Sequence, residues 1–437
     1  MMGKYNAYEK YKDSGVEWLG EIPEHWQSLK IKRLTLIKRG ASPRPIDDPK
    51  YFDDDGEYAW VRIADVTASE RYLETTTQSL SELGKSLSVP LEPGNLFLSI
   101  AGSVGKPIIT KIKCCIHDGF VYFPDLKANQ EFIYYIFNSG QPYLGLGKLG
   151  TQLNLNSETV GGITIGLPPL PEQQAIANFL DYKTQQIDAL INKKESLLEK
   201  LDEKRTAIIS HAVTKGLDSN VPMKDSGIEW LGEIPEHWES LKIKRLTLIK
   251  RGASPRPIDD PKYFDDDGEY AWVRIADVTA SERYLETTTQ KLSELGKSLS
   301  VPLEPGNLFL SIAGSVGKPI ITKIKCCIHD GFVYFPHLRA NQEFIYYIFN
   351  SGQPYLGLGK MGTQLNLNTE TVGGITIGLP PLPEQQTIAN FLDQKTTKID
   401  QQKAKIQQAI DLLKEYRTAL ITNAVTGKID VRQVPIP

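Results

Sequence analysis

The chain repeats itself, and at a scale that rules out most folds. Displaced by 212 residues, residues 12–181 lie on 224–393 with eight differences: Val16/Ile228, Gln27/Glu239, Ser79/Lys291, Asp125/His337, Lys127/Arg339, Leu149/Met361, Ser157/Thr369 and Ala175/Thr387. Solenoid repeats run to roughly 20–50 residues, so this unit is a whole domain present twice. Any architecture must therefore provide two equivalent places. After residue 181 the likeness fades, and YKTQQIDALINKKESLLEKLDEKR stands opposite QKTTKIDQQKAKIQQAIDLLKEYR.

The diverged segments keep a common periodicity. In the first, Ile176, Leu180, Lys183, Ile187, Leu190, Lys194, Leu197, Leu201, Lys204 and Ile208 recur at alternating steps of four and three. In the second, Ile388, Leu392, Lys395, Ile399, Gln402, Ile406, Ala409, Leu413, Tyr416 and Leu420 do the same. That spacing describes a heptad seam with charged outer positions. Lys194 corresponds to Ile406, and Gln402 to Leu190, so the two helices read as a heterotypic pair. An ordinary amphipathic surface helix is the alternative, but so many seam positions are long for one. Pro168, Pro169 and Pro171 stop the strand before the first helix, and Glu172 suits its first turn. Gly216 and Gly427 mark the helix ends.

Ahead of each helix the repeat reads as mixed structure. EYAWVRIADV (57–66), NLFLSIAGSVGKPIITK (95–111) and CCIHDGFVYF (114–123) are strand-like, and NQEFIYYIFNS (129–139) is a short helix. GGITIGLPPL (161–170) is a last strand leading into the long helix. The expected fold class is α+β: two near-identical mixed α/β domains separated by two long helices that pair through their seams. The expected divisions are a first domain over 1–166, a first long helix over 167–216 and a linker over 217–223. A second domain over 224–378 and a second long helix with its tail over 379–437 complete the chain.

Composition narrows the class. Forty per cent apolar and 24% charged residues describe a soluble globular chain. No apolar run reaches the roughly 18 residues of a membrane span, and the opening MMGKYNAYEKYKD lacks the apolar core of a secretory signal. The cysteines form two adjacent pairs, Cys114–Cys115 and Cys326–Cys327, without the C-x-x-C spacing of a zinc or redox site. Reduced thiols in a cytoplasmic protein fit that pattern. A net charge of −3 argues against a globally basic nucleic-acid binder but leaves room for local basic surfaces.

Catalytic patterns fail one after another. GLGKLG (145–150, repeated at 357–362) matches a dinucleotide fingerprint by letter, yet TQLNLNSETVGG follows it and reads as loop and turn rather than helix. AGSVGK (101–106) lacks the first glycine of a phosphate loop, and Pro107 stands where Ser or Thr is needed. In CCIHD (114–118), strand neighbours point to opposite faces and cannot converge on one metal. PIDDPKYFDDDGEY (45–58) has no carboxylate-x-lysine after it, so it reads as a solvated turn. No Asn/Asp-Pro-Pro-aromatic tetrapeptide of a base methyltransferase occurs. No catalytic residue, metal ligand or cofactor is therefore assigned.

Basic and amide side chains in loops suggest contact with DNA. KRGASPRP (38–45) presents Lys38, Arg39 and Arg44, with Lys106 and Lys148 in glycine-bearing loops. Thr151, Gln152 and Asn154 follow. The second copy supplies Lys250, Arg251, Arg256, Lys318, Lys360, Thr363, Gln364 and Asn366. Arg, Lys, Gln and Asn reach base edges in the major groove, and hydroxyls reach phosphates. Solvated surface loops have the same composition.

DSGVEWLGEIPEHW (13–26) with DSGIEWLGEIPEHW (225–238), LPPLPEQQAIANFLD (167–181) with its partner at 379–393, and the helix ends HAVTKGLD and NAVTGKID carry a resemblance. Across essentially the whole chain they resemble the DNA-specificity (S) subunit of Type I restriction–modification systems. The resemblance implies a subunit without catalysis of its own. Two methyltransferase (M) subunits would dock on it and restriction (R) subunits would join them. Each domain would be a target recognition domain reading one half of a split target in double-stranded DNA, and the two helices would form an antiparallel coiled coil between them, with pseudo-two-fold symmetry. This chain departs from the usual pattern in having two almost equal domains, from which an interrupted palindrome follows. A cryptic S-adenosylmethionine-dependent methyltransferase and a coiled-coil scaffold that binds no DNA are the alternatives.

Overall fold

The computed structural model describes residues 5–144, 146, 155–356, 358 and 367–436. Two compact units emerge, and the boundary cuts both long helices. The first comprises residues 1–194 with 408–437, the second 195–407. Each unit thus holds one repeat, the start of the helix that follows it, and the end of the other helix.

Within the first unit the repeat opens with a two-stranded ribbon, Tyr11–Asp13 against Glu21–Pro23. Gln27–Lys30 then pairs antiparallel with Thr164–Leu167, so the strand after the ribbon closes on the last strand of the repeat. Between them lie two sheets. One runs in the order Lys38–Arg39, Phe120–Tyr122, Leu96–Ser99, Pro107–Thr110, Tyr72–Leu73. The other runs Ser79–Leu80, Tyr58–Val61, Cys114–Ile116, Val89–Leu91. Val61, Leu73, Leu91, Phe97, Ile108, Cys114 and Phe120 fill one core, while Cys115 packs with Tyr58, Trp60 and Leu80 in another. The adjacent cysteines face opposite sides of their strand, both as buried thiols. Burial pushes the Cys114 thiol up to about 11 and that of Cys115 to about 12. The second unit repeats this arrangement.

Two local readings change. EYAWVRIADV is strand only as far as Val61, and Ile63–Ala68 is helical because Asp65 accepts the Arg62 amide at 2.8 Å and caps its start. TQLNLNSETVGG ends not in a turn but in a helix, Ser157–Gly162, capped by Asn156 on the amides of Glu158 and Thr159 at 2.9 Å each.

The long helices span Leu170–Lys215 and Leu382–Val425. Gly216 and Gly427 follow them in left-handed conformation, φ +75° and +70°. In the second unit Asp202 pairs with Lys403 at 2.5 Å and Arg205 with Asp400 at 3.4 Å, so the helices run antiparallel. In the first, Arg417 meets Asp188 at 2.9 Å.

The seam itself needs correction. Ile176, Leu180, Ile187, Leu201, Ile388, Leu392, Ile399 and Leu420 are buried, and Ile208, Ile406 and Leu413 are half-buried. Leu190 and Leu197 are 44% and 45% exposed and do not belong to it. The protected stripe is Ile187, Ile191, Lys194, Leu198, Leu201, Arg205, Ile208 and Ala212. Its counterpart is Ile399, Lys403, Ile406, Ile410, Leu413, Arg417, Leu420 and Ala424. Leu190–Ile191 and Leu197–Leu198 are adjacent apolar pairs, so the sequence admits two phases from the same anchors. The structure takes the one that steps by four before three.

Candidate nucleic-acid interface

The family-type motifs meet at a buried carboxylate. Glu172, in the first turn of the long helix, accepts the Trp26 indole N–H at 2.8 Å, pairs with His25 Nε2 at 2.8 Å and accepts the Tyr8 hydroxyl at 2.7 Å. Gln173 donates to the Pro168 carbonyl at 2.7 Å and accepts the Asn129 amide at 2.8 Å. EIPEHW and LPPLPEQQ are therefore two halves of one clamp that fixes the helix to the domain. In the second unit Glu384 takes Trp238 at 3.0 Å and His237 at 2.8 Å.

A second clamp had no signal in the sequence beyond its being present twice. Arg71 pairs with Asp181 on the long helix at 2.5 Å and with Glu131 on the helix Gln130–Asn138. Its guanidinium lies 4.9–5.0 Å from the ring centres of Tyr72, Tyr134 and Tyr135. Tyr135 donates to Asp181 at 2.6 Å. Burial pushes the Tyr134 phenol up to about 12 against the opposing pull of Arg71 and of Arg417 from the other helix. Arg283, Glu343 and Asp393 repeat the set, with Arg205 beside Tyr346.

The suspected DNA contacts divide into three groups. Lys38 and Arg39 form an edge strand that pairs with Phe120–Tyr122, and Arg44 lies beyond it. Arg39 Nε donates to the Asp118 carbonyl at 2.5 Å. Arg44 lies 3.0 Å from the Asp118 carboxylate, which also accepts Ser42 at 3.0 Å. Burial opposes ionisation of Asp118, but Ser42, Arg44 and Arg39 hold its carboxyl below the usual range. Arg44 stays 68% exposed, so one face of its guanidinium is open to solvent. Arg251 and Arg256 repeat the arrangement on Asp330, with Arg256 at 2.9 Å, and Lys250 takes the place of Lys38 in the edge strand. The two arginines of each copy are thus held on a shared aspartate beside the strand edge.

Lys106 is placed otherwise. Its ammonium donates to the carbonyls of Ser69 at 2.5 Å and Thr67 at 3.1 Å, where the helix Ile63–Ala68 ends. It stabilises that end, as a cation does near a helix C-terminus, and burial lowers its pKa. Lys318 donates likewise to the Thr279 carbonyl at 3.1 Å. AGSVGK lies between the antiparallel strands Leu96–Ser99 and Pro107–Thr110 and opens no helix. Lys148, Thr151, Gln152, Asn154, Lys360, Thr363, Gln364 and Asn366 lie outside the described residues. Among those that are described, no three His, Cys, Asp or Glu side chains are grouped to hold a metal, and no helix is long and apolar enough to cross a membrane.

This is a duplicated mixed α/β protein whose repeats are clamped to a pair of long antiparallel helices. The family model described as Type I restriction modification DNA specificity domain matches residues 23–200 and again 235–411, and the chain belongs to that family. It is similar to the Type I restriction enzyme MjaVIII specificity subunit of Methanocaldococcus jannaschii, 23% identical, with 94% of this chain and 95% of that protein covered. The EcoKI specificity subunit of Escherichia coli is 25% identical over 45% of this chain and 44% of its own length. Among solved structures, one described as the structural basis of complex assembly and conformational transition of the type I R-M system superposes with a TM-score of 0.73. It is 16% identical and covers 93% of this chain and 99% of its own. The HsdS subunit from Thermoanaerobacter tengcongensis gives 0.54 at 17% identity, covering 93% and 98%. The relatives are specificity subunits, so this chain stands with the non-catalytic members of such systems.

Proposed function

We propose that this chain reads a bipartite target in double-stranded DNA and carries M and R subunits to it from the cytoplasm. The supporting observation is the duplication: the edge strand Lys38–Arg39 with Arg44 beyond it recurs as Lys250–Arg251 with Arg256, and in each copy one aspartate braces the two arginines. Equal side chains on equal scaffolds read equal bases. If the antiparallel helices relate the halves by a two-fold, the second domain meets the same bases on the opposite strand. The target is then an interrupted palindrome, a half-site and its inverse around unspecified bases. The four differences with most bearing on charge, Gln27/Glu239, Ser79/Lys291, Asp125/His337 and Lys127/Arg339, lie outside these loops and would tune affinity. The division into recognition domains at 1–166 and 224–378, spacer helices at 167–216 and 379–437, and a linker at 217–223 belongs to this proposal.

Methylation-sensitive sequencing of a host carrying this subunit and its M partner tests the reading. An interrupted palindromic motif is expected. Two unrelated half-sites, or a continuous site, would overturn it.

A further inference from the structure

One place in the two units is built alike and filled differently. In the first unit the N-terminal arm lies over the helix ends. The Tyr5 ring stands edge-on to Phe179 with centroids 5.3 Å apart, beside Tyr416; burial first, and that neighbour next, push its hydroxyl up to about 12. The Tyr8 hydroxyl donates to Glu172, and Asn6 accepts the Asp430 amide at 2.7 Å. Under this cover Phe179 is wholly buried and Ile429 is 7% exposed.

The counterparts of Phe179, Tyr416 and Ile429 at the 212-residue displacement are Phe391, Lys204 and Leu217. In the second unit these three line an open cavity of about 330 Å³, together with Ala207, Ile208, His211 and Ala212. Leu217 is 41% exposed and Phe391 is only partly buried. Glu384 has 31% of its side chain exposed where Glu172 has 6%. Among the described residues its Oε1 accepts Trp238 alone, where that of Glu172 accepts both Trp26 and Tyr8. The same oxygen lies 3.4 Å from a Cβ built on Gly216, which also lines the cavity. An aromatic-sized hollow and a carboxylate with acceptor capacity to spare thus stand side by side.

We propose that this groove docks an extended segment of a partner polypeptide bearing two tyrosines three residues apart. One ring enters between Phe391, Leu217 and Ile208, and the hydroxyl of the other donates to Glu384. The first unit supplies the template, since Tyr5 and Tyr8 there already bind Phe179 and Glu172, the counterparts of Phe391 and Glu384. Burying an aromatic ring and satisfying the carboxylate both favour the complex.

A fluorescent peptide of residues 3–13, GKYNAYEKYKD, titrated into the full chain and followed by anisotropy, tests it. One saturable site per chain is expected. Affinity should fall at least tenfold when both peptide tyrosines are alanine, and likewise with Leu217→Arg or Ala207→Trp in the chain. Urea midpoints measured on both variants guard against misfolding. No saturable binding, or binding indifferent to both chain variants, would overturn the proposal. A concentration-dependent dimer that the peptide dissolves would also overturn it, by assigning the groove to a second copy's arm.

Discussion

Arg44 and Arg71 are both arginines paired with acids, and their surroundings give them different work. Arg44 is mostly exposed, so its pair with Asp118 contributes little to stability and the guanidinium is free to exchange partners. Arg44→Ala with Arg256→Ala should weaken both half-sites, by about 1–3 kcal/mol for each if the contact is a bidentate one to a base. Either change alone should weaken one half, as electrophoretic shifts on mutated half-sites would show. Arg71 is 16% exposed and bound to two carboxylates and three rings. Arg71→Met should cost about 2–4 kcal/mol in urea unfolding, toward the low end because Asp181 is partly solvated. His117 adds a pH dependence. Burial lowers its pKa, with Asp118 pulling the other way, and its Nδ1 accepts the Gly119 amide at 2.8 Å. A depressed imidazole stabilises the fold above the unfolded value near ~6.5 and loses that contribution as pH falls through the folded value. The double variant His117→Gln, His329→Gln should therefore show a shallower loss of melting temperature between pH 7 and 5 than the parent chain.

Among the elements, the long helices carry the sharpest correction. Both phases of the heptad share Ile187, Leu201 and Ile208, and only packing distinguishes Leu190 from Ile191. Ile191→Ala should destabilise by about 2–4 kcal/mol as a buried truncation, whereas Leu190→Ala should stay within about 0.5 kcal/mol. Chemical denaturation of the two variants decides between the phases. The short helices Ile63–Ala68 and Ser157–Gly162 escaped a pattern-based reading for another reason. Each is held by one cap, Asp65 or Asn156, whose effect outweighs the β-branched and glycine residues it introduces.

At the level of the molecule, the two helices offer a way to test the bipartite reading. Each residue adds ~1.5 Å to a helix, so one heptad adds ~10 Å, close to three base pairs. Whole-heptad insertions after Leu197 and after Ala409 keep the seam in phase. They should lengthen the unspecified spacer of the methylated motif and leave both half-sites as they were. Altered half-sites with an unaltered spacer would contradict a helical ruler.

The duplication, the long helices and the family were all legible in the chain, because a repeat and a heptad are properties of sequence order. EIPEHW and LPPLPEQQ were legible as motifs, but not as a clamp, since their residues lie 146 positions apart between Trp26 and Glu172. Lys106 looked like Arg44 on paper; one caps a helix and the other faces solvent, a choice made by the carbonyls of Thr67 and Ser69. The Arg71 knot, the phase of the seam and the unequal filling of the grooves beside Phe179 and Phe391 depend on which distant side chains share a space. Sequence sets what can pair. Burial, which exists only once the chain has folded, decides what does.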